Sequence, residues 1–179
     1  MSGQDYVVPP LSWNAVGIMT DNLRTQFSVA TEPKFPVMEF LEKVLDQRMG
    51  FVRLELGTKA ELGPFEGLTD KDGQFIILRE DVYENAWQDD GRARFTVAHE
   101  LGHYFLHTRI PMARASLERK VAPFRLSEPQ ANQFASELLM PRGFMRLDDT
   151  PAIVASRHAT SMEAAANRIK FMKEKVWKT

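Results

Sequence analysis

Residues 99–103 read His-Glu-Leu-Gly-His, and this pattern constrains the chain more than any other. Two imidazoles four positions apart meet on one side only if the backbone is helical, where such positions differ by about 40° around the axis and about 6 Å along it. The flanks agree: Phe95, Ala98, Leu101, Gly102, Phe105 and Leu106 recur at helical spacing from Arg92 to about His107. His99 and His103 can then reach one cation from the same face. Glu100 stands beside that face, able to act as a base without binding the ion. Zinc suits such donors, because it lowers the pKa of a bound water towards about 7, and Glu100 can accept the proton. The plainer reading is an amphipathic helix with two incidental histidines. Gly102, which lets another element come close, and the apolar flanks weigh against it.

A catalytic zinc site needs a third protein ligand. The chain has no cysteine, so the choice lies among histidines and carboxylates. His107 lies about 12 Å along a continuous helix from His99, too far for one ion with bonds near 2 Å. It reads as a residue behind the ligands or as packing. Glu128 opens Glu128-x-x-Ala131-Asn132-x-x-Ala135. Ala131 and Ala135 are small enough to let this helix lie against the histidine helix, and Asn132 could accept the far N–H of a ligand histidine. On spacing alone Glu128 could equally be a charge favoured at a helix N-terminus. Glu137 is the competing carboxylate.

The remaining sequence predicts an α+β fold. Ser12 can cap a helix running to about Phe27, and Val37, Phe40, Leu41, Val44 and Leu45 form a second helical stripe stopped by Gly50. Three strands follow, at 51–56, about 65–69 and 74–78, with a turn at Asp70-Lys71-Asp72-Gly73. These strands predict a small antiparallel-type sheet on a helical core. A short helix at Asp81–Trp87 precedes the histidine helix, and a loop covers 109–126. Ser127 is a plausible cap for the next helix, with Gln130 completing a capping box, and that helix ends near Met140-Pro141. Helices at about Pro151–Arg157 and Ser161–Lys173 close the chain. The expected organisation is one domain over 1–179: an N-terminal helix and loop (1–35), a catalytic core (36–141) and C-terminal helices (142–179).

Composition excludes several classes. No run of about 18 apolar residues offers a membrane span, and Met1 to Asp5 lacks the layout of a signal peptide, which together suggest a cytoplasmic protein. The net charge of -1 argues against nucleic-acid binding, although residues 142–179 hold eight Lys/Arg against four Asp/Glu. Those basic residues are scattered, so the last two helices read as cover for the core. His158, at the end of one of them, is a candidate transition-state stabiliser, with a structural role as the alternative.

Two blocks resemble the ImmA/IrrE metallopeptidases. They are Arg94-Phe95-Thr96-Val97-Ala98-His99-Glu100-Leu101-Gly102-His103-Tyr104-Phe105-Leu106-His107, and Glu128-x-x-Ala131-Asn132-x-Phe134-Ala135-x-Glu137-Leu138-Leu139-Met140-Pro141. The resemblance is strongest over residues 73–141. It implies one zinc ion held by His99, His103 and Glu128, with Glu100 catalytic and Asn132 and His107 as candidates behind the ligands. It also implies a bacterial or phage setting and a protein substrate, a helix-turn-helix repressor or an antitoxin. The alternative is a zinc-bearing regulatory or toxin module of a toxin–antitoxin pair that cuts nothing. The intact Glu100 favours the enzyme.

Overall fold

The computed structural model describes residues 5–114 and 121–177. Residues 115–120 of the expected loop, and Met1 to Gln4 of the segment read as lacking a leader, lie outside the described residues. The elements in chain order are β1 (Tyr6–Val7), α1 (Trp13–Gln26), a helix of wide π-type turns at Glu39–Arg48, β2 (Arg53–Gly57), α2 (Lys59–Leu62), β3 (Gly67–Thr69), β4 (Phe75–Arg79), α3 (Glu80–Trp87), α4 (Gly91–His107), β5 (Ala113–Arg114), α5 (Ser127–Leu139), α6 (Pro151–His158) and α7 (Met162–Phe171). The class is α+β, as the sequence predicts.

The sheet differs from the expected antiparallel type. Its order is β2-β4-β3, with β2 parallel to β4 and β3 antiparallel to β4. The reason lies between β2 and β3. Thr58 and Glu61 form a reciprocal capping box that starts α2, and Gly63, at φ +60°, ends it. This extra helical turn carries the chain past the position beside β2. β3 is laid down one place further out, and the Asp70–Gly73 turn returns β4 into the gap. β4 is therefore central, with Ile76 and Leu78 fully buried, and β3 forms an edge.

Asp90 caps α4 by accepting from the backbone N–H groups of Arg92 and Ala93. α4 lies between the sheet and α5. Val97 and Leu101 are buried with Ile76, Leu78, Phe134 and Leu138 in one core. Phe105 stacks on Phe134 at 5.7 Å between centroids and on Phe40 at 6.3 Å. The α4–α5 contact is closest at Gly102, where a Cβ would stand 3.0 Å from the Cα and the carbonyl oxygen of Ala131. The next helical position on α5 facing the core is Ala135, also fully buried. Small residues on both helices set this separation.

α5 begins differently from the sequence reading. Ser127 is inside the first turn, not the cap, and its hydroxyl donates to Asp5 Oδ1 at 3.0 Å. Gln130 does not close a capping box either, because its side chain points inward. The competing carboxylate, Glu137, is fully engaged elsewhere. Its Oε1 accepts from Arg142 Nη2 at 2.7 Å and Gln133 Nε2 at 2.9 Å, and its Oε2 accepts from Arg168 Nη2 at 2.5 Å. Burial alone would raise its pKa, but Arg168 and Arg142 outweigh this and hold it below the ordinary carboxylate range.

In an open helix Gly→Ala stabilises by up to about 1 kcal/mol. For Gly102→Ala the expected result is the reverse, a loss of about 1–3 kcal/mol from overpacking against fixed backbone. Chemical denaturation of the two proteins measures it, and an unchanged or higher midpoint would show that Gly102 does not set the helix separation.

Candidate metal centre

His99 and His103 project from one side of α4 towards Glu128, on the first turn of α5. Their donor atoms make a compact triangle. His99 Nε2 is 3.0 Å from His103 Nε2, 3.3 Å from Glu128 Oε2, and His103 Nε2 is 3.4 Å from Glu128 Oε1. Two atoms each about 2.0–2.1 Å from one tetrahedral ion lie about 3.3–3.4 Å apart. The observed separations are therefore of the size that three residues sharing one ion would show. Among the described residues it is the one group of three or more His, Cys, Asp or Glu residues close enough to hold a metal ion.

The electrostatics fit the same occupant. Burial disfavours a proton on His99, yet its pKa is raised, because the hydrogen bond to Glu128 and the charges of Glu100 and Glu128 outweigh burial. Negative charge that draws a proton to this spot draws a cation there more strongly.

Hydrogen bonds behind the histidines leave their Nε2 atoms directed at the triangle. His99 Nδ1 lies 3.0 Å from Asn132 Oδ1. His103 Nδ1 lies 3.0 Å from His107 Nδ1, and His107 Nε2 lies 3.0 Å from Gln130 Oε1. His107 is thus on the far side of His103, away from the triangle. Burial is the largest influence on it and pushes its pKa down to about 4, so its ring is neutral near pH 7.

Glu100 stays outside the triangle and borders the same cleft. Its Oε2 accepts from Thr69 Oγ1 at 2.7 Å. Gly67 makes room for it, since a Cβ there would stand 2.8 Å from Glu100 Cγ. The cleft has a volume of about 830 Å³ and is lined by Gly67, Leu68 and Thr69 of β3 and by Ile110, Pro111 and Met112. Glu128 and His103 are each less than a fifth exposed, at 16% and 18% of the side chain, so the site opens only into this cleft.

The N-terminal segment completes the site. Asp5 Oδ1 accepts from Ser127 Oγ, from the Glu128 backbone N–H at 3.1 Å and from Tyr6 N–H. It thereby caps the turn that carries Glu128. Tyr6 lines the cleft, and Val7 bridges Leu126.

The structure brings His99, Glu100, His103, Glu128, Asn132 and His107 together. It does not bring His158 there. That ring is fully buried outside the cleft lining, with Nδ1 donating to the Pro33 carbonyl at 2.7 Å and its edge against Phe144. The helix end that carries it is covered by the segment before the π-type helix, which is the structural alternative. Asp5, Thr69 and Gln130 were not found from sequence. Asp5 and Thr69 meet their partners across long stretches of chain, and no local pattern marks them. Gln130 lies beside Glu128 in sequence, but its position fitted a capping box.

Residues 52–170 match the family of the IrrE N-terminal-like domain, peptidase family M78. The chain is also similar to the metallopeptidase ImmA of Bacillus subtilis (strain 168), at 39% identity over 85 residues. That alignment covers 46% of this chain and 46% of the relative, so the match spans under half the relative's length. No solved structure matches the chain.

Removing the cap beneath Glu128 tests how the site is held. Loss of a carboxylate that caps a helix costs about 1 kcal/mol. Asp5→Ala is expected to lower stability by that amount and to weaken metal binding in a chelator titration. Unchanged binding would show that Glu128 is positioned without Asp5.

Proposed function

Because the chain belongs to peptidase family M78, that of the IrrE N-terminal-like domain, we propose that it is a zinc-dependent endopeptidase that cuts a helix-turn-helix transcriptional repressor. The observation that carries the reading is the triangle of two imidazole nitrogens and a carboxylate, with a second carboxylate, Glu100, beside it in one cleft. The name of the Bacillus subtilis relative supports peptidase activity. The repressor substrate and a cytoplasmic setting, where such repressors act, follow from the family resemblance. No helix among the described residues is long and apolar enough to cross a membrane. We also treat 1–179 as one domain, because a single core takes in Val16, Leu101, Phe134, Ile169 and Met172.

In this reading His99, His103 and Glu128 hold the zinc. Bound there, zinc supplies Lewis acidity that makes water a better nucleophile and polarises the peptide carbonyl. Glu100 takes the proton of the attacking water. Its Oε2 is held by Thr69, so Oε1 is the atom that receives the proton and later delivers it to the leaving amine.

The substrate's place follows from β3. Asp70 N–H donates to the Phe75 carbonyl and Arg79 N–H to the Glu66 carbonyl. In the alternating pattern of an antiparallel pair, the peptide groups of Gly67 and Thr69 then face away from β4. They form an edge along the cleft, and an extended peptide can pair with it as an added strand. Such an edge beside Glu100 would hold an extended segment of a protein where it can be cut.

Two sets of variants test the reading. Glu128→Ala is expected to lower zinc affinity strongly in competition with a chelator, while Glu137→Ala leaves it intact and lowers stability, because Arg168 and Arg142 lose their partner. The opposite pattern would put the wrong carboxylate at the metal. Glu100→Gln keeps shape and removes the base. It should retain one zinc per chain by elemental analysis, leave the repressor uncut on a gel and keep the repressed promoter silent. Relief of repression by this variant without repressor fragments would establish the binding-only module.

A further inference from the structure

Gln130 is buried on α5, two residues from Glu128 and on another side of the helix, and touches neither the triangle nor the cleft. Its amide orientation is fixed. Nε2 lies 3.0 Å from the Pro9 carbonyl and 2.8 Å from the Phe124 carbonyl, and only N–H groups can satisfy two carbonyl oxygens. Its Oε1 must then be the atom facing His107 Nε2 at 3.0 Å. A carbonyl oxygen accepts and never donates, so His107 carries its hydrogen on Nε2 and has a lone pair on Nδ1. That lone pair meets His103 Nδ1 at 3.0 Å, which must therefore be the protonated nitrogen of His103. His103 Nε2 is left with its lone pair, directed at His99 Nε2 and Glu128. With both rings neutral each link has one solution, and the first is set by the backbone of the N-terminal segment and of the turn before α5.

We propose that Gln130 is a positioning residue for the metal: through His107 it holds His103 in the tautomer whose Nε2 is free to bind. The inference rests on the metal reading above and deepens it. It also gives His107 a definite task. Its ring turns a side-chain carbonyl acceptor, Gln130 Oε1, into an acceptor that reaches His103 from behind. His99 needs no such relay, because Asn132 Oδ1 reaches its Nδ1 directly.

The test separates this role from simple support of the fold. In the metal-free full chain, nitrogen NMR of the histidine rings is expected to show hydrogen on Nε2 of His107 and on Nδ1 of His103. Hydrogen on Nδ1 of His107 would overturn the proposal, whether or not the chain binds zinc. The second measurement is zinc affinity in competition with a chelator. Residues that orient metal ligands typically contribute about 10- to 100-fold in affinity. Gln130→Met is expected to weaken binding within that range. His107→Asn places an acceptor oxygen where the ring has Nδ1, and so serves His103 without needing Gln130. It should bind zinc nearly as the parent does, and adding Gln130→Met to it should weaken binding no further. An equal loss from Gln130→Met in both backgrounds would mean that Gln130 merely supports the fold, and would sink the relay. A parent chain that shows the expected tautomers and binds no zinc would overturn the metal reading instead.

Discussion

Helices α4 and α5 touch at Gly102 and Ala131, with no side chain between the glycine and the facing backbone. The rest of the site depends on this contact. The donors come from two helices, His99 and His103 from α4 and Glu128 from α5. A carboxylate reaches two imidazoles at 3.3 and 3.4 Å only if the helices stand this close and in this register. A methyl group at position 102 would push Ala131 away, and with it the start of α5 three residues earlier. The core is arranged around the same seam. Phe134 and Leu138 extend it on α5, and Phe105 stacks on Phe134 at its far end.

Such a seam is costly on its own. It gathers two imidazole lone pairs and two carboxylates in a largely buried place, where unpaired charge is disfavoured. The surroundings offset this with hydrogen bonds that each have one direction. Asn132 backs His99, His107 and Gln130 back His103, Thr69 holds Glu100, and Asp5 satisfies the backbone at Glu128. Two of these contacts lead to the extended N-terminal segment, Asp5 directly and Gln130 through the Pro9 carbonyl, and Ser127 is tied to it as well through Asp5. That segment also pairs with β5 and seats Tyr6 in the cleft wall. It is the outer wall of the metal site.

The parts of this arrangement that were legible in the sequence are those that repeat at short range. The spacing of His99 and His103, the apolar period of α4, and the small residues Gly102, Ala131 and Ala135 all report one helix face. They point to the histidine pair, and the order of helical and strand patterns along the rest of the chain points to the α+β class. The choice between Glu128 and Glu137 was open on spacing. The structure separates them through Arg142 and Arg168, which follow on the next segment and on α7 and could not be assigned to Glu137 by pattern. The strand runs and the Asp70–Gly73 turn predict an antiparallel-type sheet, and that turn does join an antiparallel pair, β3 and β4. The capping box at Thr58 and Glu61 was present in the sequence, yet its effect on strand order is a tertiary one. Gln130 fitted a local rule, the capping box, that lost to the carbonyl groups of distant Pro9 and of Phe124 in the preceding turn.

Three glutamates show why residue type alone could not give the roles. Glu137 is buried between two arginines, which fix its charge and use up its oxygens, so it holds α7 and the segment after α5 to the core. Glu128 sits on the first turn of a helix, where free N–H groups favour an anion, and both of its oxygens face imidazole nitrogens. Its negative charge is placed to meet a cation, and the hydrogen bonds of Asp5 hold the turn that bears it. Glu100 is one residue from His99 and therefore rotated about 100° away from it around the helix. That rotation keeps it out of the triangle and turns it to β3, where Gly67 gives it space and Thr69 occupies one oxygen. The remaining oxygen borders the cleft edge along which a peptide would lie. The same residue type braces two segments, faces two imidazoles or borders the cleft according to which partners its oxygens already have. On α4 the one-residue offset between His99 and Glu100 is imposed by the helix itself.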